Sequence, residues 1–139
     1  MAIFLNNKVG FKLNTVDLSD HVTAFTLNRQ SDQLEVTAMG DTAHKFVTGL
    51  SADTITVSFL NDTAATSVLA TLQAAYGTTV AFKAIQDKVP VVSATNVLYT
   101  GTLLVDNITD INGAVADEAT IDLTFTCQST TAVASTGTF

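Results

Sequence analysis

Residues 119–127 read ATIDLTFTC. Ala119, Ile121, Leu123, Phe125 and Cys127 fall on one side of an extended chain; Thr120, Asp122, Thr124 and Thr126 fall on the other. Side chains of a strand alternate between two faces, so strict period-two alternation marks a strand with one dry face and one wet face. The same rhythm recurs outward from this stretch. Val9, Phe11 and Leu13 alternate with Gly10 and Lys12; Leu34, Val36 and Ala38 alternate with Gln33, Glu35 and Thr37. Ile55, Val57 and Phe59 alternate with Thr54, Thr56 and Ser58. Val80, Phe82 and Ala84 follow, then an apolar run from Val97 to Val105. In VTAFTL, from Val22, the phase slips between Ala24 and Phe25, which a β-bulge would accommodate.

One segment departs from the rhythm. In NDTAATSVLATLQAAYG, Val68, Leu69, Leu72, Ala75 and Tyr76 share a stripe at helical spacing. Asp62 or Thr63 can cap its start, and Gly77 suits the position just past its end. The spacing predicts one amphipathic helix over about residues 63–76, its stripe directed at the chain's own sheets. Many strands and one helix give a mainly β fold: an antiparallel β-sandwich or partly open barrel with one flanking α-helix. A long loop is expected at about residues 39–53, in TAMGDTAHKFVTGL. The 139 residues are read as one domain, with an N-terminal arm at 1–8 and a flexible C-terminal arm at 129–139, small and polar except for Phe139.

The chain is 47% apolar and only 14% charged, with net charge −7. This excludes the clustered Lys and Arg of a protein that grips nucleic acid through phosphates. It leaves open a wall that a polyanion slides past. The start, MAIFLNNKVGFKL, has no basic region and its apolar run is broken by Asn6, Asn7 and Lys8, so no signal peptide is expected; no stretch approaches the length of a membrane span. The chain is expected to be made and kept in a cytoplasm, the Asn61 and Asn107 sequons being chance matches.

Catalytic patterns are thin. Cys127 is alone and reads as a buried thiol. Ser19, Asp20 and His21 have the letters of a triad, but adjacent residues cannot aim at one another. His44 near Asp41 lacks further ligands for a metal. Residues 106–118, DNITDINGAVADE, lack the spacing of a calcium loop and read as a connection turning at Asn112-Gly113. No catalytic residue, cofactor site or metal site is expected. The strands are Thr-rich and short of the Lys, Pro and bulges that guard free edges, which favours a subunit whose edges meet neighbours.

DLSDHVTAFTL (17–27), TAMGDTAHKFVTGL (37–50), TITVSF (54–59), SATNVLYTGTLLVDNI (93–108) and ADEATIDLTFTC (116–127), in this order, resemble the major tail tube proteins of long-tailed bacteriophages. The most specific piece is Met39-Gly40-Asp41-Thr42-Ala43 followed by Phe46-Val47-x-Gly49-Leu50. Thr48 and Val97 stand where the family often has Pro. The resemblance implies a virion subunit that forms rings of six, stacked into a tube that carries DNA into the host. It implies assembly in the host cytoplasm with copies of itself and with tape-measure, terminator and distal-tail proteins, DNA passing through without specific binding. Carried over to this chain, Met39, Gly40, Asp41, Phe46, Val47, Gly49 and Leu50 become the contact between subunits or rings, and Glu35 and Asp122 become candidates to face the lumen. A terminator ring, the tube of a contractile device and a β-sandwich decoration or adhesion module remain alternatives.

Overall fold

The structure is a computed structural model that describes residues 8–139; the expected arm at 1–8 lies outside the described residues except for Lys8. The strands are β1 (Gly10–Leu13), β2 (Val16–Asp17), β3 (Val22–Asn28), β4 (Ser31–Glu35), β5 (Phe46–Ser51), β6 (Thr54–Leu60), β7 (Thr79–Ile85), β8 (Leu98–Leu104), β9 (Thr120–Cys127) and β10 (Ala132–Ala134). One helix, α1 (Val68–Ala75), lies between β6 and β7. One antiparallel sheet runs in the order β2-β1-β7-β8-β9-β6-β3, with β10 also paired to β8; β4 and β5 form a separate ribbon.

The sheet folds over at β8–β9. Those strands share only the pairs Leu103↔Cys127 and Leu104↔Thr126, whereas β6 and β9 pair from Thr54↔Thr126 to Leu60↔Thr120. The fold brings the two halves face to face: the Phe11 ring of β1 lies 5.0 Å from Phe25 of β3 and 6.2 Å from Phe59 of β6. The ends of the strand order, β2 and β3, do not pair, so the sandwich does not close into a barrel. Between the halves lie Phe11, Leu13, Ile55, Val57, Phe59, Phe82, Leu103, Ile121, Leu123 and Phe125, all buried. In β1, β6 and β9 the dry face is the one the alternation predicts; in β4 it is not, Leu34 and the following Val36 being exposed. β3 does carry a bulge, but its register shifts between Val22 and Ala24, just before the expected slip between Ala24 and Phe25.

The helix is shorter than expected at its start. Asp62 does not cap it; its Oδ1 accepts the Ala64 N–H at 2.9 Å and its carbonyl accepts the Leu69 N–H at 3.2 Å, so residues 62–67 form a turn and Ser67 takes the N-cap position. Its end is as expected: Gly77 has φ +78°, open to a residue without Cβ, and its N–H donates to the Val105 carbonyl at 2.7 Å. Val68, Leu72 and Ala75 are buried in the core, while Tyr76, placed in the stripe, is exposed.

Residues 129–139, expected as an arm, run back along the sheet. Ala132 and Ala134 pair with Thr100 and Leu98 of β8. The Phe139 ring fills the space over Gly10, where a Cβ would come within 2.7 Å of it, and Lys12 Nζ lies 4.7 Å from the ring centroid. Three small residues carry no periodicity, so β10 left no mark in the sequence.

Phe11→Ala removes the ring that touches both halves of the sandwich. It is expected to cost roughly 3–5 kcal/mol, the usual loss for a buried aromatic, measured by chemical denaturation. A change below about 1 kcal/mol, the scale of an ordinary surface substitution, would mean that the halves do not depend on this contact.

Candidate interaction surface

The β4–β5 ribbon leaves the body between β3 and β6, and its strands pair only with each other among the described residues. The register is Ser31↔Ser51, Gln33↔Thr48, Leu34↔Val47 and Glu35↔Phe46, with a bulge between Ser31 and Gln33. Residues expected as the far half of a long loop are therefore strand. Alternation along the ribbon puts Leu34, Val36 and Val47 on one face and Phe46 and Leu50 on the other. All five are exposed; Leu50 retains 81% of its accessible surface. A two-stranded ribbon with apolar groups in water on both faces is marginal on its own.

The tip is built to hold its shape. Met39 is fully exposed, and Gly40 has φ +92°, which disfavours any side chain. Asp41 closes the turn: its Oδ2 accepts the Ala38 N–H at 2.8 Å, and its own N–H donates to the Ala38 carbonyl at 3.1 Å. Lys45 Nζ lies 2.6 Å from Asp41 Oδ1 and, with the Ala38 N–H, holds the Asp41 carboxyl below its ordinary range. Gly49 does not serve as a bend. It faces the bulge, where a Cβ would meet the Asp32 Cβ at 3.1 Å and the Leu34 side chain at 3.3 Å. The two strands approach closely here, and a larger residue would have to push Asp32 and Leu34 aside by a few tenths of an ångström.

The two proposed lumen carboxylates are separated. Glu35 ends β4 on the ribbon, its Oε2 3.3 Å from His44 Nδ1. Asp122 sits mid-strand on the outer face of the β9-β6-β3 half, beside Ser58, which in turn is beside Ala24. The rows on either side carry Thr120, Thr124 and Thr126 of β9, Thr54, Thr56 and the part-exposed Leu60 of β6, and Thr26 and Asn28 of β3. This face is hydroxyl-rich, with one charge.

At the ribbon's root, Asp53 is 4% exposed and missed by sequence reasoning. Its Oδ1 accepts the Gln30 N–H at 3.0 Å and its Oδ2 accepts the Thr131 N–H at 2.9 Å. Burial, the largest influence, pushes its carboxyl up; the Thr131 and Gln30 donors and the Arg29 charge outweigh it and hold the carboxyl below its ordinary range. The Thr131 hydroxyl lies close but makes no hydrogen bond of good geometry, so the two backbone amides carry the effect. Burial and the same carboxylate push the Cys127 thiol up, away from thiolate chemistry.

A Ser-His-Asp grouping does form, from residues not grouped in the sequence. His21 Nε2 lies 2.9 Å from Asp62 Oδ2 and 3.5 Å from Ser67 Oγ. Both partners address the same ring nitrogen, whereas a nucleophile relay needs one on each. Ser19 is instead a structural residue: its Oγ accepts the Phe11 N–H at 2.9 Å on the border of β1. Among the described residues, no group of three or more His, Cys, Asp or Glu is placed to hold a metal ion, and no helix is long and apolar enough to cross a membrane.

This fold has counterparts among solved structures. A chain of the virion of a native gene transfer agent particle superposes with a TM-score of 0.72 at 12% identity, covering 95% of this chain and 99% of that one. The chain shares its fold with that virion chain over nearly the whole length of both. A chain from the tail of an empty gene transfer agent particle, a tail of C6 symmetry, superposes with a TM-score of 0.60 at 14% identity, over 82% of each chain. No protein-family model matches the sequence, and no curated protein matches it. The likeness lies in the backbone and its topology, not in shared side chains.

The Asp53 carboxyl, held below its ordinary value of 3.8, contributes stability that is fully present above that value and is lost as pH falls through the lower folded value. Asp20, Asp41 and Asp62 are shifted in the same direction by their own partners. The melting temperature is expected to hold from neutral pH down to about pH 4 and then fall, less steeply in Asp53→Asn. Equal acid slopes for the two proteins in calorimetry would show that Asp53 is not part of that loss.

Proposed function

We propose that this chain is a structural subunit of a phage-type virion tail, and that copies of it form stacked rings whose bore conducts DNA into the host. The observation that carries the reading is the β4–β5 ribbon. Its apolar groups lie on two opposite faces, so folding it down on its own body would cover only one of them. Insertion between two neighbouring subunits covers both. Met39, Gly40, Asp41, Phe46, Val47, Gly49 and Leu50 then form the joint between rings, with Asp41 holding the tip in shape.

The second support is the open border. Among the described residues β3, seven residues long, pairs with β6 alone, which leaves its other border unpaired. Pairing that border with a neighbour removes the edge and extends the sheet around a ring. A head-to-tail contact that closes by rotation gives rings and, repeated along the axis, a stack. The likeness to a tail of C6 symmetry supports six subunits per ring. The hydroxyl-rich face of β9-β6-β3 then lines the bore, with Asp122 repelling phosphate, while Glu35 belongs to the ribbon joint. Assembly takes place in the host cytoplasm, before the tail joins the virion.

Phe46→Asp is expected to leave the monomer's melt and circular dichroism nearly unchanged and to abolish filaments in negative-stain microscopy; normal tubes from this variant would show that the ribbon is not the joint. For the bore, Asp122→Cys in a Cys127→Ser background is expected to react, once assembled, with a small maleimide but not with one linked to a polymer too wide to enter. Equal labelling by both reagents would put Asp122 on the outside.

A further inference from the structure

The ribbon joins the body through two short connections, residues 29–30 and 52–53, tied to each other by the Ala52 N–H bond to the Gln30 carbonyl at 2.6 Å. A ribbon held by this stem alone could swing about it. Asp53 ties the stem to a third segment. One carboxylate oxygen takes the Gln30 N–H; the other takes the Thr131 N–H from the connection between β9 and β10; the Asp53 carbonyl takes the Cys127 N–H at 3.0 Å. Ser51 Oγ and Thr130 Oγ1, 3.0 Å apart, join the same two segments beside it. Thr131 is itself buried and is fixed by β10, which is paired to β8 on the other half of the sandwich.

We propose that Asp53 is the positioning residue that fixes the direction of the β4–β5 ribbon relative to the sandwich, so that the ribbon is presented ready for a neighbour. The carboxylate suits the task because both of its oxygens accept, and both of its partners are backbone N–H groups. An amide of the same shape offers one acceptor and turns an NH2 toward the other donor, so one bond is lost and two donors oppose each other. Leaving a buried donor unmet costs far more than an exposed one. The ribbon's own pairing, from Leu34↔Val47 to Glu35↔Phe46, does not involve Asp53. Its loss therefore frees the direction of the ribbon while leaving the ribbon itself intact. A pre-set direction removes an ordering cost from association.

This inference rests on the ribbon being the joint between subunits, and its test separates the two. Spin labels at Met39→Cys on the tip and Thr56→Cys on the body, in a Cys127→Ser background, report the ribbon's direction in the monomer. Adding Asp53→Asn is expected to broaden the distance distribution; an unchanged narrow distribution overturns the positioning role, whether or not the chain forms tubes. In unlabelled protein, Asp53→Asn is expected to slow assembly by roughly tenfold or more, the scale of one lost hydrogen bond to a charged group. A Ser51→Cys/Thr130→Cys disulfide, which ties the same two segments, is expected to restore both the narrow distribution and the assembly rate in Asp53→Asn, and reduction to reverse the rescue. A narrow distribution restored without assembly would overturn direction as the cause of slow assembly. If the Cys127→Ser parent forms no tubes under any condition, the tube reading falls, and the spin-label distances alone decide the role of Asp53.

Discussion

A sheet that folds over at one corner and does not close must leave two borders, and the rest of this molecule answers to that constraint. Folding at β8–β9 brings Phe11 against Phe25 and Phe59 and dries the core. The same fold leaves backbone groups unpaired at β1 and at β3. The chain seals the first border itself. β2 pairs along part of β1, the Leu18 N–H reaches the Phe11 carbonyl, and Ser19 Oγ accepts the Phe11 N–H. The second border has no such seal among the described residues. One border finished with a buried hydroxyl and one left bare make an asymmetric subunit, suited to a head-to-tail contact rather than a symmetric pair.

The sandwich was legible in the sequence because its strands have one wet face and one dry face. Ile121, Leu123 and Phe125 announce their burial by alternating with Thr and Asp. The β4 side of the ribbon was legible as strand from the alternation of Leu34 and Val36, but the β5 side was not, for the converse reason. Phe46 and Val47 are neighbours on opposite faces, and Leu50 is again on the Phe46 side, so no period separates inside from outside. The sequence marked residues 39–50 as unusual and left their pairing unread. Gly49 illustrates the limit: its need for close approach exists only opposite the bulge at Asp32.

Long-range polar contacts were beyond reach. Asp53 meets partners 23 and 78 residues away, and nothing local distinguishes it from a loop aspartate. The start of α1 failed at shorter range. Asp62 is a good cap by type, but its side chain takes the Ala64 N–H two residues on and makes a turn of what would have been the first helical turn. Polar residues with several local options were misread, whereas apolar residues at fixed period were read correctly inside the sandwich and not on the ribbon, where Leu34 and Val36 alternate yet lie exposed.

The charges are segregated in a way that composition alone conceals. On the outer face of β1 and β7, Lys12 and Lys83 sit directly opposite each other, an unfavourable like-charge pair. The chain's last residues answer it: Lys83 Nζ donates to the Thr138 carbonyl at 3.3 Å, and the Phe139 ring faces Lys12. The outer face of β9-β6-β3 carries no cation in its paired rows: it holds hydroxyls, one amide, Ala24, the part-exposed Leu60 and Asp122. A surface of Thr hydroxyls is wetted without holding phosphate, because a neutral donor that bonds water equally well gives a polyanion no reason to stay. In the proposed tube, one carboxylate per subunit would act over about 8–10 Å at physiological salt, enough to keep a passing phosphate off the wall without raising a long-range barrier to entry. The two outer faces of the sandwich thus differ in chemistry: paired lysines on β1 and β7, and one carboxylate among hydroxyls on β9-β6-β3.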